Sequence, residues 1–191
     1  MAENNDLREG KGLTISDISE VQERIDDVYA SMELTRDALL NELMNNSAVE
    51  TFKEIKFGKI AKDPFREVNI NFIEMLNQSF SDIVVLKGVE YLMNKYKGMA
   101  FDINLGALNG PDILSDDGSV IAECFSVVSA FNNQKIKMDS DKLMKENKGK
   151  VKYIFFFAKE DKKDRLNDLI VKYPRIKYMR LNNDLTEYEE L

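Results

Sequence analysis

Gly110-Pro111-Asp112-Ile113-Leu114-Ser115-Asp116-Asp117-Gly118-Ser119-Val120-Ile121-Ala122-Glu123-Cys124-Phe125 is the stretch whose reading decides the fold. Asp117 and Gly118 separate two β-prone runs, and Asp-Gly is a strong hairpin signal because a type I′ turn needs positive φ at both central residues. With a two-residue loop Asp116 faces Ser119, and four pairs further from the turn Asp112 comes opposite Glu123. Residues so opposed have Cβ atoms about 4.5–5.5 Å apart and share one face of the sheet. Two like charges placed there repel and are partly desolvated, and a divalent cation held between them would offset both costs. In the alternative, Glu123 faces solvent and Asp112 caps a turn after Pro111. Against that stands the run Val120 to Val128, apolar on both faces apart from Glu123 and Ser126, since a lone carboxylate in such a strand is rarely decorative.

Working outward from the hairpin, strand-length apolar runs place strands at 99–105, 111–115, 119–127, 151–158 and 176–181, with helices near 132–147 and 160–173. Strand 151–158 is apolar on both faces and bounded by charge, as a buried central strand covered on both sides would be. The half before Gly98 has helical periodicity instead. Residues 1–13 are polar and without period, and are expected to be a flexible lead-in. A helix is expected from Ile15, capped by Ser16 or Asp17 with Glu20 closing a capping box. Its seam of Ile18, Val21, Ile25, Val28 and Met32 fits either a helix packed on its own domain or a dimer helix. A helical piece follows over 47–56, Asp63-Pro64 is expected to start a helix, and Ser81 or Asp82 to open another that ends at Gly98. The expected organisation is therefore a helical region over 14–79 for packing or dimerisation, an α/β core over 80–181, and an acidic tail over 182–191 that frays, all within one compact domain.

Composition narrows the chemistry. At 191 residues, 43% hydrophobic and 32% charged, the chain suits one globular domain. There is no histidine, so the commonest general base and transition-metal ligand is missing and chemistry must rest on carboxylates, lysines, hydroxyls or the lone thiol. Carboxylates favour Mg²⁺ or Mn²⁺. The N-terminus has no signal-like pattern, no run reaches membrane-spanning length, and the single Cys124 excludes an intrachain disulfide, so a cytoplasmic protein without a membrane partner is expected. A net charge of −7 argues against indiscriminate nucleic-acid coating. Basic residues nevertheless cluster. Seven lysines face three acids between Asn132 and Lys152, and Lys53, Lys56, Lys59 and Lys62 recur every third residue. These are either solvated helix faces or local phosphate-binding surfaces.

A Pro and Asp ending one strand, a hairpin, a Glu in the next strand and then a helix, within an αβββαβ order, resemble the PD-(D/E)XK nuclease superfamily over about residues 80 to 181. The resemblance implies a restriction-endonuclease-like core, a mixed central sheet flanked by helices. It also implies metal-dependent hydrolysis of DNA phosphodiester bonds by a homodimer, as in type II restriction endonucleases, or an inactive nuclease-like subunit that binds DNA or assembles with a partner. Carried over by residue, Asp112 and Glu123 are the metal ligands, joined by the Cys124 carbonyl. The family's Lys, two places after the Glu, falls on Phe125, a departure that puts catalysis in question. Some relatives supply that group from the next helix, where Lys135 is the first choice and Lys137 the second. The family often adds an acid from the helix leading into the core. Glu90 is the nearest candidate, with Glu67 and Asp82 behind it, and Asp102 on the first strand is a weaker one. Gln134, Lys135, Lys137, Lys142, Lys53, Lys56 and Lys59 are the candidates for holding nucleic acid.

Other signals fail. Gly58-Lys59 lacks the remaining residues of a phosphate loop. A calcium loop with Gly118 at its sixth position would start at Ile113 and end at Cys124, neither of which fits. Cys124 has no His partner and reads as a core thiol, and Phe155, Phe156 and Phe157 read as core.

Overall fold

A computed structural model describes residues 13–66, 68–105, 110–129, 134–147, 149–160 and 163–191. Its core is a seven-stranded mixed sheet in the order β1-β4-β5-β6-β7-β8-β9. The strands are β1 (Leu13–Ile15), β4 (Phe101–Ile103), β5 (Ile113–Ser115), β6 (Val120–Ser129), β7 (Val151–Glu160), β8 (Ile176–Leu181) and β9 (Tyr188–Glu190). β4, β5 and β6 are antiparallel neighbours, whereas β6, β7 and β8 run parallel. The parallel links pass through α4 (Lys135–Lys145) and α5 (Lys163–Lys172), because a chain can return to a parallel position only by a crossover. The protein is thus α/β with a mixed sheet, in the expected strand and helix order after Gly98.

Alternation along β7 separates two cores. Tyr153 and Phe155 pack with Val21, Ile25 and Val28 of α1 (Ile18–Asn45) and with Ile83, Leu86 and Leu92 of α3 (Phe72–Lys95). Ile154, Phe156 and Ala158 pack on the other face with Ile121 and Phe125 of β6, Ile136 and Leu143 of α4, and Leu166 of α5. Each buried side chain of this kind contributes roughly 1.5–3 kcal/mol. Gly88 lets α3 lie close to the sheet, since a Cβ there would stand 3.1 Å from both Ile113 Cδ1 and a ring carbon of Phe155.

Several expectations for the flanking regions are corrected. α1 has its capping box, with Asp17 as N-cap and Glu20 reaching back, but Val21, Ile25 and Val28 are buried against the chain's own core. The middle of the seam is thus packed on the protein's own domain, the first of the two readings, while Ile18 at its start is 42% exposed. α2 spans Ala48–Phe57. Asp63-Pro64 starts no helix. Asp63 Oδ1 instead accepts the N–H groups of Phe65 and Arg66, a local turn that competes with helix formation, between the short strands β2 (Ala61–Lys62) and β3 (Asn69–Ile70). Asn71 caps α3, which runs on through Ser81. That hydroxyl bonds back to the Asn77 carbonyl from within the helix and does not open a new one. Leu13 of the expected lead-in is in β1. The acidic tail forms β9 along β8, pairing Leu181 with Tyr188, and Tyr188 is anchored by its ring on Phe155 at 4.8 Å and its hydroxyl donating to the Val84 carbonyl. Among the described residues no helix is long and apolar enough to cross a membrane.

Candidate metal and phosphate site

The hairpin of β5 and β6 has the register expected from the sequence, with Leu114 opposite Ile121 and Ile113 opposite Ala122. The turn itself differs. Gly118 has a φ of 68° and its N–H donates to the Ser115 carbonyl at 2.8 Å, while Asp117 does not have positive φ. The Asp117 carboxylate accepts from Ser115 Oγ and Ser119 N–H and stabilises the turn from outside. Register survives a different turn because a one-residue slip would exchange the buried and exposed faces of both strands.

One step beyond Ile113 and Ala122 come Asp112 and Glu123, and there the ladder opens. Asp112 N–H donates to the Ala122 carbonyl at 3.0 Å, while Asp112 Oδ2 accepts the Cys124 N–H at 2.7 Å. The carboxylate thus takes over a strand hydrogen bond. The N–H and C=O of one strand residue point to the same side, so the Cys124 carbonyl faces the edge where Asp112 stands.

Glu123 shares its face of β6 with Ile121 and Phe125 and lies under α4, only 3% exposed. Lys142 reaches it from that helix. The Lys142 ammonium is 2.8 Å from Oε2, to which it donates, 2.8 Å from Oε1, and 2.8 Å from the Gly110 carbonyl, to which it also donates. Oε1 has no hydrogen bond. Burial, then the charge of Asp112, push the Glu123 carboxyl up to about 7, with Lys142 pulling the other way. Burial also raises Asp112, opposed by the Cys124 N–H and by Lys142 and Lys135.

Asp139 of α4, 4% exposed, joins this cluster although sequence reasoning had passed it over. Lys135 donates to Asp139 Oδ1 at 2.8 Å, while the buried Oδ2 has no hydrogen-bond partner. Burial raises the Asp139 carboxyl against the pull of both lysines. Burial lowers the Lys135 ammonium, but Asp139, with Asp112 and Glu123 adding, outweighs it and leaves the pKa raised. The same ammonium stands 5.8 Å from the centre of the Phe125 ring, which stacks on Phe156. Lys135, Asp139 and Lys142 are spaced i, i+4, i+7, one stripe of a helix. That spacing groups the three on one face of α4 without saying that the face is buried.

The remaining candidates disperse. Lys137, two residues from Lys135, is exposed on another face of α4. Gln134 occupies the α4 N-cap in a left-handed conformation with no side-chain cap bond. Glu90 pairs with Lys87 in a cleft shared with Tyr188. Asp82 instead lines, with Glu74, Arg66 and Asn104, a cavity of about 520 Å³ that contains Asp112 and Cys124. Glu67 lies outside the described residues. Asp102 accepts from Thr14 at the β1–β4 pairing. Lys53, Lys56 and Lys59 are exposed on or just beyond α2.

Among the described residues no three carboxylate or thiol groups converge closely enough to hold an ion. A cation here would rest on Asp112, Glu123 and backbone carbonyls, with water completing the shell as Mg²⁺ commonly requires. The donors fit such an ion chemically, since all are oxygens and one, Glu123 Oε1, is buried without a hydrogen bond. Comparison of the chain with protein-family models, curated proteins and solved structures found no match.

Proposed function

We propose that this chain is a divalent-cation-dependent endonuclease that hydrolyses DNA phosphodiester bonds, of the type II restriction kind, with a PD-(D/E)XK-like core. The observation that carries the reading is the pair of Asp112, partly buried just before β5, and Glu123, buried in β6, with the Glu123 carboxyl pushed up to about 7 beside an ammonium. Carboxyls whose pKa is perturbed by burial and a specific charge partner cluster at functional sites. Asp112, Glu123 and the Cys124 carbonyl would hold Mg²⁺ or Mn²⁺, which supplies Lewis acidity at the phosphate and a water of lowered pKa. Lys135 takes the role of the family's strand lysine. Fixed by Asp139 and resting over Phe125, its ammonium orients the attacking water and stabilises charge developing on the phosphate. The exposed lysines of α4 and α2 hold the flanking DNA backbone in the manner that gives salt-sensitive binding.

A second reading, an inactive nuclease-like subunit that binds DNA or assembles with a partner, is favoured by Phe125, buried and stacked on Phe156 where the family has its lysine. Supercoiled plasmid incubated with Mg²⁺ or Mn²⁺ separates the two. The nuclease reading expects nicked or linear product from wild type and a loss of at least a hundredfold, on the order of one removed catalytic group, in Asp112→Ala and Glu123→Ala. Salt-sensitive DNA binding without cleavage under either ion selects the inactive subunit, and cleavage surviving in both variants rejects the site.

A further inference from the structure

The Lys142 ammonium contacts three oxygens at 2.8 Å, two from the Glu123 carboxylate and one from the Gly110 carbonyl. A buried carboxylate and a backbone carbonyl converging on one positive charge are the donors that a hard divalent ion takes. The partners differ in freedom. Glu123 is fixed in mid-strand and its side chain is 3% exposed, whereas that of Lys142 is 51% exposed on a flexible four-carbon stem. Gly110 presents its carbonyl from a backbone with φ of 128°, a conformation that residues with a Cβ rarely adopt. Glu123 Oε1, close to the ammonium but without a hydrogen bond, has acceptor capacity left for a better-placed cation.

From these contacts we propose that Lys142 holds the place of the divalent ion, so that metal loading displaces the ammonium from Glu123 and the Gly110 carbonyl. This rests on the cation reading above and adds to it a ligand, the Gly110 carbonyl, and a residue that controls loading. The exchange is ionic throughout. The ammonium keeps its protons, the Glu123–Lys142 contact is broken, a Glu123–metal contact forms, and no covalent bond changes. Lys142 keeps the buried carboxylate paired while no ion is bound, and it opposes loading when the ion is scarce. Once displaced, it adds a free positive charge to the α4 surface at the moment the site becomes competent for phosphate.

The test is Mn²⁺ binding, followed by the paramagnetic resonance of the free ion, in wild type, Lys142→Met, Gly110→Ala and Asp112→Ala. Lys142→Met is expected to bind about tenfold more tightly than wild type, and Gly110→Ala and Asp112→Ala more weakly. Equal or weaker binding in Lys142→Met while wild type binds overturns the displacement and leaves the cation reading intact. Absence of binding in both wild type and Lys142→Met overturns the two together, and binding in Lys142→Met alone supports displacement. A companion measurement needs no substitution, namely acetylation of wild-type lysines with and without Mn²⁺, read by mass spectrometry. Lys142 is expected to become several-fold more reactive when the ion binds while Lys53 on α2 does not change. Mn²⁺ binding with no change at Lys142 also overturns the displacement.

Discussion

Asp63 and Glu123 are both buried carboxylates with a basic partner, yet they are held in opposite ways. Asp63, 1% exposed, is satisfied by its own turn. Oδ1 accepts two backbone N–H groups, and Oδ2 accepts both the Nε and a terminal nitrogen of the Arg66 guanidinium. These four bonds come from within three residues of Asp63. Glu123 is on β6, its cation comes from α4, its like-charged neighbour Asp112 from the residue before β5, and one of its oxygens has no hydrogen bond. A buried acid with complete local bonding is a structural element. An acid whose partners come from separate parts of the chain, with one oxygen in an ion pair but without a hydrogen bond, has acceptor capacity left and is what the proposed cation site requires.

The contrast is most sharply tested by removing each acid. Asp63→Ala takes away the organiser of the β2–β3 turn and strands a guanidinium that is largely covered, and is expected to cost about 3–5 kcal/mol in urea unfolding. Glu123→Gln should act in the other direction. The Glu123 carboxyl is raised from 4.5 in the free side chain to about 7 in the fold, so between those values the folded state holds a proton that the unfolded state has released. Stability contributed at this position is therefore full below about pH 4.5 and is lost as pH rises toward 7. Asp112 and Asp139, also raised, add to the same slope, while Lys135 and Lys142 reduce it. Glu123→Gln removes the largest of these penalties and is expected to be more stable than wild type at pH 8 by up to roughly 3 kcal/mol, with the advantage vanishing by pH 4. Chemical denaturation at the two pH values checks it, and a variant less stable than wild type at pH 8 would place Glu123 with Asp63 among structural acids.

These two positions also show what the sequence makes legible. The hairpin register, and with it the approach of Asp112 to Glu123, follows from the Asp117-Gly118 break and the period-two apolar pattern around it, both local and both obeyed even though the turn has one left-handed residue instead of two. Strands β4 to β8 were equally readable because each shows either an apolar run, as in β6 and β7, or apolar residues interrupted by charge, as in β4 and β8. Asp139 was not, because an acid between Met138 and Ser140 on an amphipathic helix has the same local appearance as a solvated one, and only the docking of α4 on β6 buries it. Asp63-Pro64 misled for a related reason, since the side chain that caps a helix also closes a turn, and the pair of short strands around it decides between them. β9 was missed because its acidic composition hides Tyr188, whose burial among Tyr91, Phe155 and the Val84 carbonyl depends on residues about a hundred positions away at α3.

The smallest expected effect separates the two cations instead of the two acids. Arg66→Ala removes two guanidinium hydrogen bonds from a carboxylate that is 1% exposed, and charge-assisted bonds of this kind contribute about 1.5–3 kcal/mol. Lys142→Ala removes an ammonium that is half exposed from a carboxyl that accepts a proton near neutrality. At pH 6 the proton replaces the lost cation, so the cost should be under about 1 kcal/mol, in the range of an exposed ion pair. At pH 8 the proton is no longer freely available and the cost should grow toward that of Arg66→Ala. The measurement is the difference in unfolding free energy between the two variants at each pH. A gap that is wide at pH 6 and narrows at pH 8 means that the charge on Glu123 is exchangeable, as a group awaiting another cation must be. Equal costs at both pH values would make Lys142 as structural as Arg66 and remove the physical basis for a cation at Glu123.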